Sequence, residues 1–238
     1  MITLVDAAAM TMWLDAACHG NAAPDDVVAA LGPVHVAGWT LESPATALSL
    51  VVAELGRQTP AVRTLLALCV PGDPGPLIAD AQVLRAAASA GAAIVLDPLG
   101  IALIADPDSP ATTWIAHRLD SAFMEAPDLV EAHRSLRRAL RMASDDLELL
   151  DVAAGRDRVD PTLLRRRRRQ LPDHVEPARV ALLDTALGLA MVLDAADIDP
   201  GAALSASALT ARRQVLQELR QSVRRAVEAA AGSPIIDR

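Results

Sequence analysis

The chain contains no lysine and no tyrosine, a single phenylalanine and three tryptophans among its 238 residues. A core built with so few large rings must rest on alanine, leucine and valine, which suits closely packed helices and small β-branched strands. The same shortage removes the platforms on which single-stranded nucleic acids stack their bases. With lysine absent, each of the 22 basic residues is arginine, always charged, planar and able to bind carboxylate or phosphate in a fork.

Cysteine is equally sparse. Cys18 and Cys69 lie in apolar surroundings without CxxC or metal-ligand spacing, so reduced, buried thiols in a cytoplasmic protein are expected, with a Cys18–Cys69 disulfide as the alternative. No uninterrupted apolar run of about 20 residues occurs. The nearest approach, Val180 to Ile198, carries Asp184, Asp194 and Asp197 and reads as a core helix rather than a membrane span. The first residues lack a basic segment ahead of an apolar stretch, so no secretory signal is expected.

Catalytic signatures are missing too. His19, His35, His117, His133 and His174 are scattered, and none forms H-x-x-x-H or H-E-x-x-H, which leaves a metal site without local support. No G-x-S-x-G elbow is present. Asp25-Asp26 and Asp145-Asp146 are adjacent pairs whose side chains diverge on a helix. Cys18 adjoins His19, but a helix C-terminus disfavours a thiolate, and Cys69 has no basic neighbour. The expectation is a protein without cofactor, metal or catalytic residue; the alternative is an enzyme or small-ligand binder with a pocket near the 71–76 loop.

What is present is a charge asymmetry. Residues 1–133 carry 15 acids and 4 arginines, or −11; residues 134–238 carry 15 acids and 18 arginines, or +3, together giving the chain's −8. An acidic front half and an arginine-studded back half follow.

Along the front half the pattern predicts helices over 4–18, 24–31, about 44–57 and about 78–89. Strands are predicted at 34–39, 62–70, 92–97 and 101–105, with one more at 112–117. From Pro127 onward only helices are expected: 128–154, a short one through the Arg165–Arg169 run, 176–196 and 205–230. The links at Leu171-Pro172-Asp173 and Asp199-Pro200-Gly201 favour antiparallel neighbours in a helical bundle. The fold class is therefore α+β or α/β, an N-terminal mixed β-sheet with helices followed by a C-terminal helical region. The division expected is an acidic module over 1–126 and an arginine-rich helical region over 127–238.

The run Leu65 to Pro76, with Ala90 to Val95 and the last two helices, resembles a group of uncharacterised proteins from actinobacteria. That resemblance implies the same sheet-then-helices layout and no activity.

The strongest candidate site is geometric. Arg134, Arg137, Arg138 and Arg141 stand at i, i+3, i+4 and i+7 and share one helical face, and Arg213, Arg220 and Arg224 repeat the idea on the final helix. Such surfaces suit an acidic protein or a second copy of the chain, ahead of nucleic acid. The plainer reading is a solvated face, with Arg141 relieved by Asp145 and Arg224 by Glu228. Docking of the acidic half on the basic helices is a further use. A weaker candidate is the Pro71–Pro76 turn, whose Gly72, Asp73 and Gly75 follow a strand and precede a helix, where ligand crevices open. It lacks the G-x-x-x-x-G-K-[ST] pattern and is half proline, so a rigid turn is the simpler account.

Overall fold

Thr3 opens the first helix by accepting a hydrogen bond from the Asp6 amide, and α1 (Leu4–Cys18) then runs almost wholly buried. A computed structural model of the chain describes residues 3–40, 44–58, 61–109, 112–120, 128–149, 170–198 and 206–233. Its contacts divide it into two compact units. The first comprises 1–126, 169–176 and 231–238, and the second comprises 127–168 and 177–230.

The first unit is a six-stranded sheet with helices. After α1 and α2 (Pro24–Leu31) come β1 (His35–Ala37), β2 (Ala45–Ala47), α3 (Leu48–Leu55), β3 (Arg63–Ala67), α4 (Ala81–Ala90), β4 (Ala93–Asp97), β5 (Ile101–Ala105) and β6 (Thr113–Arg118). The strand order is β2-β1-β6-β5-β4-β3, with β1 and β6 parallel and every other pair antiparallel. The mixed sheet expected from sequence is present, with one strand more. Ser43-Pro44 suggested a helix start, but residues 45–47 pair with β1 first and the helix begins only at Leu48. Cross-strand pairing outweighed the local proline signal.

Strands β4 and β5 read as continuous apolar runs because nearly all of their residues are buried, on either side of the sheet. Helix α1 packs on β3 and β4, and α4 packs on β5. The β4–β5 hairpin turns through Asp97-Pro98-Leu99-Gly100, where Gly100 takes φ +62° and a side chain would press on the Leu119 carbonyl. Helix α4 is capped by Asp80, whose carboxylate accepts from the Gln82 and Val83 amides.

A buried polar cluster ties distant sequence together in this unit. The Thr64 hydroxyl donates to the Thr11 carbonyl, and the Trp13 indole donates to the Gln170 carbonyl. Ser233 bonds to both Thr64 and Asp15.

The second unit contains α5 (Leu129–Leu149), α6 (Pro177–Ile198) and α7 (Ala206–Ala231, whose last residue belongs to the first unit). Asp128 caps α5 by accepting from the Glu131 amide. Helices α6 and α7 run antiparallel, since arginines near the start of each reach carbonyls near the end of the other. Arg179 donates to the Ala230 carbonyl, Arg212 to that of Ala196 and Arg220 to that of Leu193, all at 2.8–2.9 Å. Arg179 and Arg212 thereby cap opposite helix C-termini, where carbonyls lack intrahelical donors and the dipole is negative. The expected helix through Arg165–Arg169, the residues 150–154 and the link Asp199-Pro200-Gly201 lie outside the described residues. No described helix is long and apolar enough to cross a membrane.

Candidate functional site: the arginine face of helix α5

Ala132, Leu136 and Ala143 are the buried positions of α5. At about 100° per residue they occupy one narrow arc of the helix. Arg134, Arg137, Arg138 and Arg141 fall on the opposite arc, and all four are exposed. Packing of the leucine–alanine side thus directs the guanidinium groups outward. The spacing is amphipathic, and burial decides which side faces water.

Arg134 is held by Glu131 three residues earlier, at 2.5 Å between largely exposed groups. The neighbouring Ser135 hydroxyl and Arg134 both donate to Glu131 and hold its carboxyl below the usual glutamate range. Arg137, Arg138 and Arg141 make no ion pair among the described residues. The i,i+4 pair between Arg141 and Asp145 does not form, and Asp145 and Glu148 extend the same exposed face beyond the arginines. Exposed Met142 and Leu140 flank the stripe on either side.

The final helix behaves differently. Arg213 is exposed, Arg220 is half-buried with a guanidinium nitrogen on the Leu193 carbonyl, and Arg224 is half-buried. The buried Glu228 pairs with Arg225 at 3.1 Å. Of the seven arginines singled out from sequence, the structure therefore groups four on one open face. Of the other three, at least Arg220 is engaged in helix–helix bonding. Arg179 and Arg212 escaped the sequence reading because a single arginine near a helix end carries no periodic signal.

The Pro71–Pro76 turn closes on itself. Val70 and Asp73 exchange both backbone hydrogen bonds at 2.9 Å, and the Gly75 amide donates to the Asp73 carboxylate. Gly72 and Gly75 both adopt positive φ, which glycine accommodates without strain. Two of the amides a phosphate would need are thus already engaged within the turn.

Neither cysteine forms a disulfide, and both are buried. Burial, reinforced by the nearby Asp15 charge, pushes the Cys18 thiol up to about 12, so it is an inert core group. His117 sits near the Asp80 cap, and partial burial holds its imidazole below the ordinary 6.5. Among the described residues no three His, Cys, Asp or Glu side chains are grouped to hold a metal ion.

Comparison with known proteins matches residues 7–131 to the family described as Rv1486c-like protein, N-terminal domain. Residues 130–228 match Rv1486c-like protein, C-terminal domain. The chain belongs to the Rv1486c-like family. Among its relatives is the uncharacterized protein Rv1486c of Mycobacterium tuberculosis (strain ATCC 25618 / H37Rv), 26% identical over 228 residues and covering 74% of this chain and 77% of that protein. The uncharacterized protein MT1533 of the CDC 1551 / Oshkosh strain aligns with the same identity and coverage. These matches agree with the resemblance to uncharacterised actinobacterial proteins seen in the sequence. No solved structure matches the chain significantly.

Proposed function

We propose that this is a non-catalytic interaction or regulatory protein that engages an acidic protein surface, or a second copy of itself, through the arginine face of α5. The observation carrying this reading is the exposure of Arg134, Arg137, Arg138 and Arg141 on the arc opposite Ala132, Leu136 and Ala143. Three of those guanidinium groups have no ion-pair partner among the described residues, so they can form charge-assisted, bidentate bonds with incoming carboxylates. The cytoplasm is the compartment proposed, in keeping with two buried cysteines that form no disulfide.

The test is capture from a native-host extract treated with nuclease, comparing the wild-type chain with Arg134→Glu/Arg137→Glu/Arg138→Glu. The reading expects partner recovery to be lost in the variant while its circular dichroism stays unchanged. Equal recovery would remove the face from contention. Recovery that disappears with nuclease in the wild type would mean that nucleic acid bridges the complex.

A further inference from the structure

The outward face of α5 carries both signs of charge, in blocks. From the N-terminal end it presents Arg134, Arg137, Arg138 and Arg141, then Asp145 and Glu148, all exposed. Successive helical positions at about 100° place these six side chains within an arc of roughly 100°. Arg137, Arg138, Arg141, Asp145 and Glu148 make no ion pair among the described residues. A helix face that is basic in one half and acidic in the other is complementary to itself when reversed. We infer that α5 is a self-recognition surface on which a second copy of this chain docks its own α5 antiparallel, about a two-fold axis level with Met142. This deepens the proposed function by naming the partner.

The register follows from the helical rise. With the axis at Met142 and about 1.5 Å per residue, Arg138 and Arg141 come within about 3 Å, along the helix axis, of Asp145 of the second copy. Arg137 comes similarly level with Glu148 of that copy. Symmetry repeats each pair, as an isologous interface requires. Parallel docking would instead set arginine on arginine. Met142 is 54% exposed and Leu140 38% exposed, one on each flank of the stripe. The two-fold brings each residue beside its own copy and supplies apolar contact around the ion pairs, and methionine and arginine are both enriched in such interfaces.

The full-length chain tests this by sedimentation equilibrium. The wild type is expected to dimerise, with a dissociation constant that rises about tenfold or more between low and high salt as exposed charges are screened. Arg134→Glu/Arg137→Glu/Arg138→Glu/Arg141→Glu has an all-acidic face and Asp145→Arg/Glu148→Arg an all-basic one, so each alone should be monomeric. Mixed together they should restore a dimer. A wild type that stays monomeric at low salt, or variants that dimerise as it does, overturns the inference. If the wild type is monomeric yet loses capture of another acidic protein on charge reversal, self-docking fails while the broader reading of the face survives.

Discussion

Ser233 and Thr64 are joined by two hydrogen bonds: the Ser233 amide donates to the Thr64 carbonyl, and the Thr64 amide donates to the Ser233 hydroxyl, each at 2.7 Å. The same hydroxyl donates to the Asp15 carboxylate. A residue near the chain's end therefore occupies the outer side of β3, the last strand in the sheet order. It satisfies backbone groups that an edge strand otherwise leaves open to pairing with another chain.

Removing that hydroxyl should cost more than a typical surface substitution, since it leaves a buried amide and a buried carboxylate each short of a partner. Ser233→Ala is expected to destabilise the protein by about 1–3 kcal/mol. The midpoint of a urea transition measures it; a loss below about 0.5 kcal/mol would mean that water replaces the serine.

The two sides of α5 should respond oppositely to truncation. Leu136 is 1% exposed, and Leu136→Ala should cost about 2–5 kcal/mol through lost burial and a cavity. Arg137→Ala, on the open arc, should stay within about 0.5 kcal/mol of wild type. Thermal denaturation of the two variants side by side reads the helix orientation directly. Equal losses would show that the arginine face is packed.

Arg212 donates to the Ala196 carbonyl from a buried position. Arg212→Ala should lose about 1.5–3 kcal/mol, the range for hydrogen bonds to charged groups. Arg213→Ala, one residue on and exposed, is expected to be near neutral. Chemical denaturation distinguishes them, and interchangeable behaviour would count against the α6–α7 register.

Cys18 should be chemically silent in the folded protein. With its thiol pushed up to about 12, about one molecule in ten thousand carries the thiolate at pH 8. Alkylation followed by mass spectrometry should show no modification of Cys18 until denaturant is added. Rapid labelling of the native chain would mean that α1 opens readily.

His117 makes folding weakly pH-dependent. Burial lowers its folded-state affinity for protons, so the unfolded chain protonates first as pH falls below 6.5. Its contribution to stability is complete above that value and declines as pH drops through the window between the unfolded and folded values. Asp80 opposes the shift by attracting the imidazolium. Asp80→Asn should therefore move His117 further down, which an NMR titration of the imidazole would follow.

Much of the layout was legible in the residues because the signals are local and repeat. Helical periodicity in 128–149 and 206–231, the apolar runs of β4 and β5, and the Pro-Leu-Gly turn between them require only neighbouring positions to be read. Strand β2 was not legible. Three small residues after a Ser-Pro become a strand only because β1 lies beside them. The α5 arginines were found by spacing, whereas Arg179, Arg212 and Arg220 took their roles from carbonyls on another helix, which no sequence window contains.

Helix type, strand existence and the alignment of four arginines along α5 are properties of short stretches, set by periodicity and side-chain chemistry, and the chain carries them wherever it folds. Which arginines meet solvent, which cap a neighbouring helix, and that Ser233 seals the edge of β3 beside Asp15 are long-range outcomes. They depend on burial and on partners far away in the chain, and only packing in three dimensions selects among arrangements that the local pattern permits equally.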